Sequence, residues 1–230
     1  MEDLKTNTGA SGPARSLQSL IPKDIFVGTS LILRRDKRFL YGIRPPFSQA
    51  SFQILELTGV GGALEEQDET LTAGVLREAR EEIDCPVEIV ACQDTLVVRG
   101  KSNLEWMSFE GQEKPVAVVF RRFRTPPHQP WDDDNRGEAC LVVFLADLKG
   151  QPRPAMELPA LIWISPSQVV EAARKDVPLQ KMSTAGAEII ERVPGSLPRQ
   201  ALVRLTDSQE ALVLGLEADA LRFYQELAGI

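Results

Sequence analysis

Cysteine and histidine are scarce in this chain. Among 230 residues there are three cysteines, Cys85, Cys92 and Cys140, and one histidine, His128. None of the cysteines form a CxxC pair, which argues against a structural zinc site, and the odd count argues against a disulfide scaffold. Three reduced thiols serving as small apolar groups in a cytoplasmic protein are expected instead. Long hydrophobic runs are also missing. No segment approaches the roughly 20 apolar residues of a membrane span. The opening stretch, MEDLKTNTGASGPARS, lacks the basic start and apolar core of a secretory signal. No internal repeat or low-complexity tract is present. Excess positive charge is absent too: the formal net charge is −7. Such a chain repels a polyphosphate backbone, which argues against a dedicated nucleic-acid binder.

What is present is an ordinary globular composition, 43% hydrophobic and 26% charged, with length for one sizeable core. Residues 1–20 are polar and read as a flexible arm. Two apolar runs in 24–44 flank Arg35-Asp36-Lys37 and predict a β-hairpin. FQILELT (52–58) reads as a strand running into the glycine-rich GVGG, and VEIVACQDTLVV (87–98) as another. Further strands are expected at 115–123, 138–148 and 160–164. Ser165, Pro166 and Gln168 form a helix-start signal. The tail, about 207–228, is apolar enough for one or two helices, with Gly215 a weak point. Mixed strands with interspersed helices predict an α/β or α+β sandwich. Three parts are expected: the arm at 1–20, a main domain at 21–180 and a helical extension packed on it at 181–230.

The stretch about 70–83 predicts a helix. Asp68 or Thr70 can cap its start, Ala73, Leu76, Ala79 and Ile83 recur at helical spacing, and Asp84-Cys85-Pro86 stops it. Glu78, Glu81 and Glu82 stand at i, i+3 and i+4, so they share a face, on another side from the apolar stripe. Three close carboxylates repel one another. Arg77, four residues before Glu81, offsets part of that. Such a face is either a solvated surface or a platform for a hard divalent cation, which prefers carboxylate oxygens. A strand, a glycine-rich turn and acidic residues before the helix favour the second reading, because the turn exposes backbone groups beside the carboxylates.

These residues carry a resemblance. GGALEEQDETLTAGVLREAREEIDCPV resembles the Nudix box, the signature of the Nudix hydrolase superfamily. Glu69 is followed by seven residues and then Arg77-Glu78-Ala79-Arg80-Glu81-Glu82, as in that signature. Two departures are visible: six residues rather than five separate Gly62 from Glu69, and Asp84 replaces the glycine after the helix. FLYGIR before the box and ALIWISPSQVVEAA after it are similar to the flanking Nudix elements, so the likeness spans about 24–175.

The resemblance implies an α+β fold, an α/β/α sandwich with a Nudix-like mixed sheet flanked by helices, and a metal-dependent hydrolase. Its substrate would carry a pyrophosphate bond, in a nucleoside diphosphate linked to another moiety or in a nucleoside triphosphate. Glu78 and Glu82 would be ligands for Mg²⁺ or Mn²⁺, with Glu81 a third ligand or the base for water. Arg77 would orient the glutamates, and Arg44 and Gly62 would bind substrate. Glu138 and Glu157 are alternative loop bases by position. Implied partners are a small nucleotide-type substrate and a second copy, since dimers are frequent in the family; no membrane is implied. Trp106 and Trp131 could stack on a base or pack on the core. Arg122 and Arg124 could contact phosphates or lie on a solvated sheet face. The Asp132–Asp134 run reads as a solvated turn, and His128 as a loop residue. The competing reading is a non-catalytic Nudix-fold nucleotide sensor or an interaction module, which would bind without turnover.

Overall fold

In the computed structural model, described over residues 16–45, 53–100, 103–111, 114–122, 138–216 and 219–230, a mixed sheet carries helices on both faces. This is the expected α/β/α sandwich. The elements are α1 (Leu17–Leu20), β1 (Phe26–Arg35), β2 (Arg38–Arg44), β3 (Ile54–Thr58), α2 (Leu71–Ile83), β4 (Val87–Val90), β5 (Thr95–Arg99) and β6 (Leu104–Met107). They continue as β7 (Ala117–Arg122), β8 (Glu138–Leu148), β9 (Ala160–Ile164), α3 (Pro166–Arg174), β10 (Val177–Pro178), α4 (Leu179–Thr184), β11 (Glu188–Glu191), β12 (Leu202–Leu205), α5 (Asp207–Gly215) and α6 (Ala220–Ala228).

The predicted hairpin is β1–β2. Asp36 and Lys37 take positive φ values of 48° and 62°, which suits the right-handed strand twist of a two-residue hairpin turn. β1 alternates, as a strand buried on two faces must. Leu31 and Leu33 enter the core under α2, and Ile32 enters the opposite core, roofed by α3, α5 and α6. β1 pairs in parallel with β8 from Phe26↔Ala139 to Arg34↔Asp147. β2 is shared: one edge takes β9, the other takes β1 and then β3. β1 and β3 therefore part beyond β2, and the chain leaving β3 crosses back to β1 through the bridges Leu31↔Val60 and Gly28↔Ala63. That crossing is the glycine-rich turn.

Three readings of the sequence need correction. The run 87–98 is two strands, β4 and β5, broken at 91–94, and they pair with different neighbours. The arm expected over 1–20 ends in a helical turn, α1, whose Leu17 and Leu20 pack partly buried on the core; residues 1–15 lie outside the described ones. The tail does hold two helices, α5 and α6, but they are preceded by strands that join the sheet. β11 pairs with β9, and β12 runs parallel to β3. Four-residue strands are too short for their period to be read against a helical one.

Helix α2 begins where the sequence places it. The Thr70 side chain accepts from the Ala73 N–H, and Asp84 ends the helix in the left-handed conformation at φ 45°, ψ 41°. The last carbonyls are taken by a following loop: the Arg153 N–H donates to Ile83 O at 2.8 Å and the Ala155 N–H to Glu82 O at 2.9 Å. α3 shows the predicted capping box between Ser165 and Gln168.

The end of α2 yields a prediction. A left-handed non-glycine residue costs about 1–2 kcal/mol, and glycine adds about 0.5–1 kcal/mol of backbone entropy to lose. The first term wins, so Asp84→Gly is expected to stabilise the fold by about 0.5–1 kcal/mol. Denaturant unfolding measures it; a variant less stable than the parent would show that the Asp84 carboxylate contributes something the backbone account omits.

Candidate active site

The helix lies on the sheet differently from the simple stripe. Thr72, Val75, Ala79 and Ile83 are buried, whereas Ala73 is exposed. The true seam lies one residue round from the expected one and takes in Glu82, only 6% exposed. The three glutamates therefore do not share one solvated face. Glu82 sits at the buried edge, Glu78 one turn earlier is part-buried, and the Glu81 side chain keeps 43% of its surface.

The glycine turn meets this edge. The Gly61 N–H donates to Glu82 Oε2 at 2.9 Å. Its position is fixed from β1: the Thr29 N–H donates to Gly62 O and the Leu31 N–H to Val60 O, each at 2.8 Å. Gly61 has φ +149°, and a Cβ there would collide with the Thr29 carbonyl. Only glycine brings the backbone this close. A Cβ on Gly62 would lie 2.5 Å from Glu78 Oε1. Both carboxylates are thus packed directly against the turn's backbone.

Arg77 gathers the remaining acids. Its guanidinium bonds Asp68 twice, at 3.0 and 3.2 Å, Glu78 Oε1 at 2.9 Å and Glu81 Oε2 at 3.1 Å. It also donates to Ala63 O at 3.3 Å and lies 3.4 Å from Glu65. The bond to Asp68, ahead of the others, raises the Arg77 pKa, and Arg77 in turn holds Asp68 below the ordinary carboxylate value. Asp68, and not the motif-aligned Glu69, answers Arg77; Glu69 is exposed. Five residues separate Gly62 from Asp68, so the acid at the glycine-side spacing is kept and the extra residue falls between Asp68 and the helix.

Burial pushes the Glu82 pKa up to about 8; Glu78 and Glu157 push the same way, while the Gly61 N–H and Arg44 oppose. Burial likewise raises Glu78, opposed by Arg77 and reinforced by Glu81 and Glu65. Among the described residues no three acidic, imidazole or thiolate groups converge as a ready-made metal cage. The donor chemistry nevertheless fits Mg²⁺, which uses one or two carboxylates and otherwise water and substrate phosphates. Glu78 and Glu82, raised by burial and cradled against glycine backbone, are the pair that a divalent cation would relieve.

Arg44 ends β2, directly across from Glu56, and is near enough to Glu82 to stabilise its charge. Glu157 is exposed on the loop that covers the end of α2, and its charge acts on Glu82. Sequence position alone gave no reason to prefer it to Glu138, whose side chain lies outside the described residues, as does that of Arg122. Arg124, His128, Trp131 and Asp132–Asp134 also lie outside them. Trp106 is not core: it is 58% exposed on β6, the end strand of the sheet, opposite Leu96.

A family model described as the NUDIX domain matches residues 26–185. The chain belongs to the Nudix family. Nudix enzymes are pyrophosphohydrolases acting on phosphorus-containing acid anhydrides, they generally use divalent metal ions, and this chain is an enzyme of that type. Similar solved structures include the E. coli ORF135 protein, at 18% identity and TM-score 0.42 over 84% of this chain and 91% of that one. A candidate asymmetric diadenosine tetraphosphate hydrolase from Jonesia denitrificans matches at 15% identity and TM-score 0.47, over 86% and 96%. A MutT Nudix hydrolase from Burkholderia pseudomallei matches at 20% identity and TM-score 0.38, over 63% and 86%. No curated protein sequence matches the chain. Among the described residues, no helix of this Nudix protein is long and apolar enough to cross a membrane.

The raised Glu82 pKa carries a stability prediction with a definite sign. The folded state holds a proton on Glu82 up to about pH 8, whereas the unfolded chain releases it near the ordinary carboxylate value of 4.5. The folded state binds more protons in that window, so metal-free stability falls as pH rises from about 4.5 to about 8. Glu82→Gln is expected to remove this contribution and to melt higher than the parent at pH 8.5 without metal. Added Mg²⁺ at that pH is expected to raise the melting temperature of the parent and not of the variant. Parallel melting curves across pH would refute the account of Glu82.

Proposed function

We propose that this Nudix enzyme hydrolyses, with Mg²⁺ or Mn²⁺, a pyrophosphate bond in a nucleoside diphosphate linked to another moiety or in a nucleoside triphosphate. The observation that carries the reading is a buried carboxylate, Glu82, held by the Gly61 N–H one helical turn from the part-buried Glu78. Two such groups would share a divalent ion with substrate phosphate oxygens. When bound, the ion neutralises phosphate charge and lowers the pKa of water.

The chain's residues supply the rest. Glu81, half-exposed and tethered by Arg77, would serve as a third ligand or take the proton from the attacking water. Glu157 is the second candidate base, supported by its field at Glu82. The water oxygen bonds to phosphorus, the anhydride P–O bond breaks, and the leaving phosphate departs with the bond's electron pair. Arg77 holds Glu78 and Glu81 in place without touching substrate. Arg44 would hold a phosphate of the bound substrate at the end of β2, and Gly62, lacking a side chain, leaves room beside Glu78. A homodimer in the cytoplasm is the setting we infer; the free thiols of Cys85, Cys92 and Cys140 suit a reducing compartment. The sensor reading is disfavoured by Glu82, since a module that needs no cation gains nothing from burying that charge.

The test is phosphate or nucleotide release from a panel of pyrophosphates with Mg²⁺ and with Mn²⁺. Glu82→Gln and Glu81→Gln are each expected to lower turnover by about 10²-fold or more while the circular dichroism spectrum stays native. Arg44→Ala is expected to raise KM with a smaller change in kcat. Binding of nucleotides without turnover by the parent, or near-normal activity in both glutamine variants, would overturn the assignment.

A further inference from the structure

The segment that follows the family-matched residues 26–185 reaches back to the root of the glycine turn. β12 lies parallel to β3 through Leu205↔Leu57, and the Thr206 N–H donates to Leu57 O at 2.9 Å. One turn into α5, Gln209 is 1% exposed and its Nε2 donates to Ser30 Oγ at 3.1 Å. Ser30 is itself 4% exposed. It stands in β1 between Thr29 and Leu31, the two residues that pin the turn through Gly62 and Val60. The Gln209–Ser30 pair also fills the space beside Gly59. A Cβ on Gly59 would lie 2.6 Å from Gln209 Nε2 and collide with Ser30 Oγ. Gly61 packs against the same β1 residues: a Cβ added to it would collide with the Thr29 carbonyl and lie 2.7 Å from Ser30 Cα.

These contacts form one chain of packed atoms: Gln209, Ser30, the turn 59–62, and the Gly61 N–H on Glu82. A buried glutamine is costly unless its groups are bonded, and here Oε1 has no partner among the described residues. Leucine or methionine at 209 would serve packing alone at less cost. We propose that Gln209 is a positioning residue: through Ser30 it sets the seating of the glycine turn, and so the orientation of the Glu82 carboxylate toward a divalent cation. The inference deepens the proposed function and relies on Glu82 being a cation ligand. It assigns the C-terminal segment a part in the site that its sequence does not announce.

The experiment compares Gln209→Met, Ser30→Ala, the double variant and Glu82→Gln in the full chain. Loss of one buried hydrogen bond is expected to make Gly61 amide hydrogen exchange about tenfold faster in the metal-free protein, with β8 amides unchanged. The Mn²⁺ dissociation constant, measured by calorimetry, is expected to rise about tenfold, while KM for the nucleotide substrate stays within about twofold. The double variant is expected to go no further than either single one, because both remove the same bond. A folded Gln209→Met with parental Gly61 exchange and Mn²⁺ affinity overturns the proposal, whatever its melting temperature. Should Gln209→Met not fold, Ser30→Ala with parental values overturns it equally. Glu82→Gln separates the two levels: parental Mn²⁺ binding there defeats the ligand reading of Glu82, and Gly61 exchange in the other variants still reports on the brace.

Discussion

The carboxylate of Glu82 is carried below the surface on a helix seam that is otherwise uncharged, and the Gly61 N–H is aimed at it. Most of the local architecture follows from that contact. A charge in such a place is costly unless it is hydrogen-bonded or paired. The backbone can come within 2.9 Å only where no Cβ intervenes, which makes Gly61 obligatory. The turn can stay there only if both its ends are tied, and β1 ties them through Thr29 and Leu31. One N–H does not restore an ordinary carboxylate, and the pKa stays near 8. The site is therefore built with an unmet demand for positive charge, which is the property an enzyme handling metal-bound phosphates needs.

Arg77 manages the rest of the acid cluster without meeting that demand. Its contacts run to Asp68, Glu65, Glu78 and Glu81, and it spends its charge on the outer acids. Of the two helix carboxylates most raised by burial, Arg77 reaches Glu78 and leaves Glu82 to the turn. Glu78 is held at Oε1 by a single bond from the Arg77 guanidinium. Such a tether reduces the rotamer freedom that binding would otherwise have to remove. Arg44 contributes from another element, the end of β2, and Glu157 from the loop after β8, so the field at Glu82 is set by four stretches of chain: the glycine turn, α2, β2 and that loop.

The helix, its cap and its stop were legible because each is a local matter. Thr70 bonds three residues on, and Asp84 tolerates a left-handed conformation that its neighbours would resist. The strands β8, of eleven residues, and β9, of five, were legible because each is a nearly continuous apolar run. The burial of Glu82 was not legible. A stripe of Ala73, Leu76, Ala79 and Ile83 differs from the observed Thr72, Val75, Ala79 and Ile83 by about a third of a turn, and small residues such as alanine do not say which rotation packs better. The pairing of Arg77 with Asp68 was hidden for a related reason. Motif counting from the helix side selects Glu69, and only the folded loop shows which of two adjacent acids points inward. The strands β11 and β12 were missed because four residues carry no period, and their partners lie far off in sequence.

That last omission bears on how the site is held. β3 delivers the glycine turn, and without β12 it would be an edge strand, with unpaired backbone groups along one side. β12 closes that edge in parallel register from Leu202↔Ile54 to Leu205↔Leu57. A parallel partner must arrive through a crossover; the one here carries α3, and α5 follows directly after β12, so that Val169, Leu212 and Val213 share one core with Leu55 and Leu57. The face of β3 opposite to α2 is thus filled by α3 together with residues from the tail. Any loosening of the tail would be felt first at the strand that ends in Thr58, and next at the turn that follows it. The family-matched core supplies the carboxylates and the β1 bonds that tie the turn, and chain lying outside it closes the free edge of the strand that carries the turn.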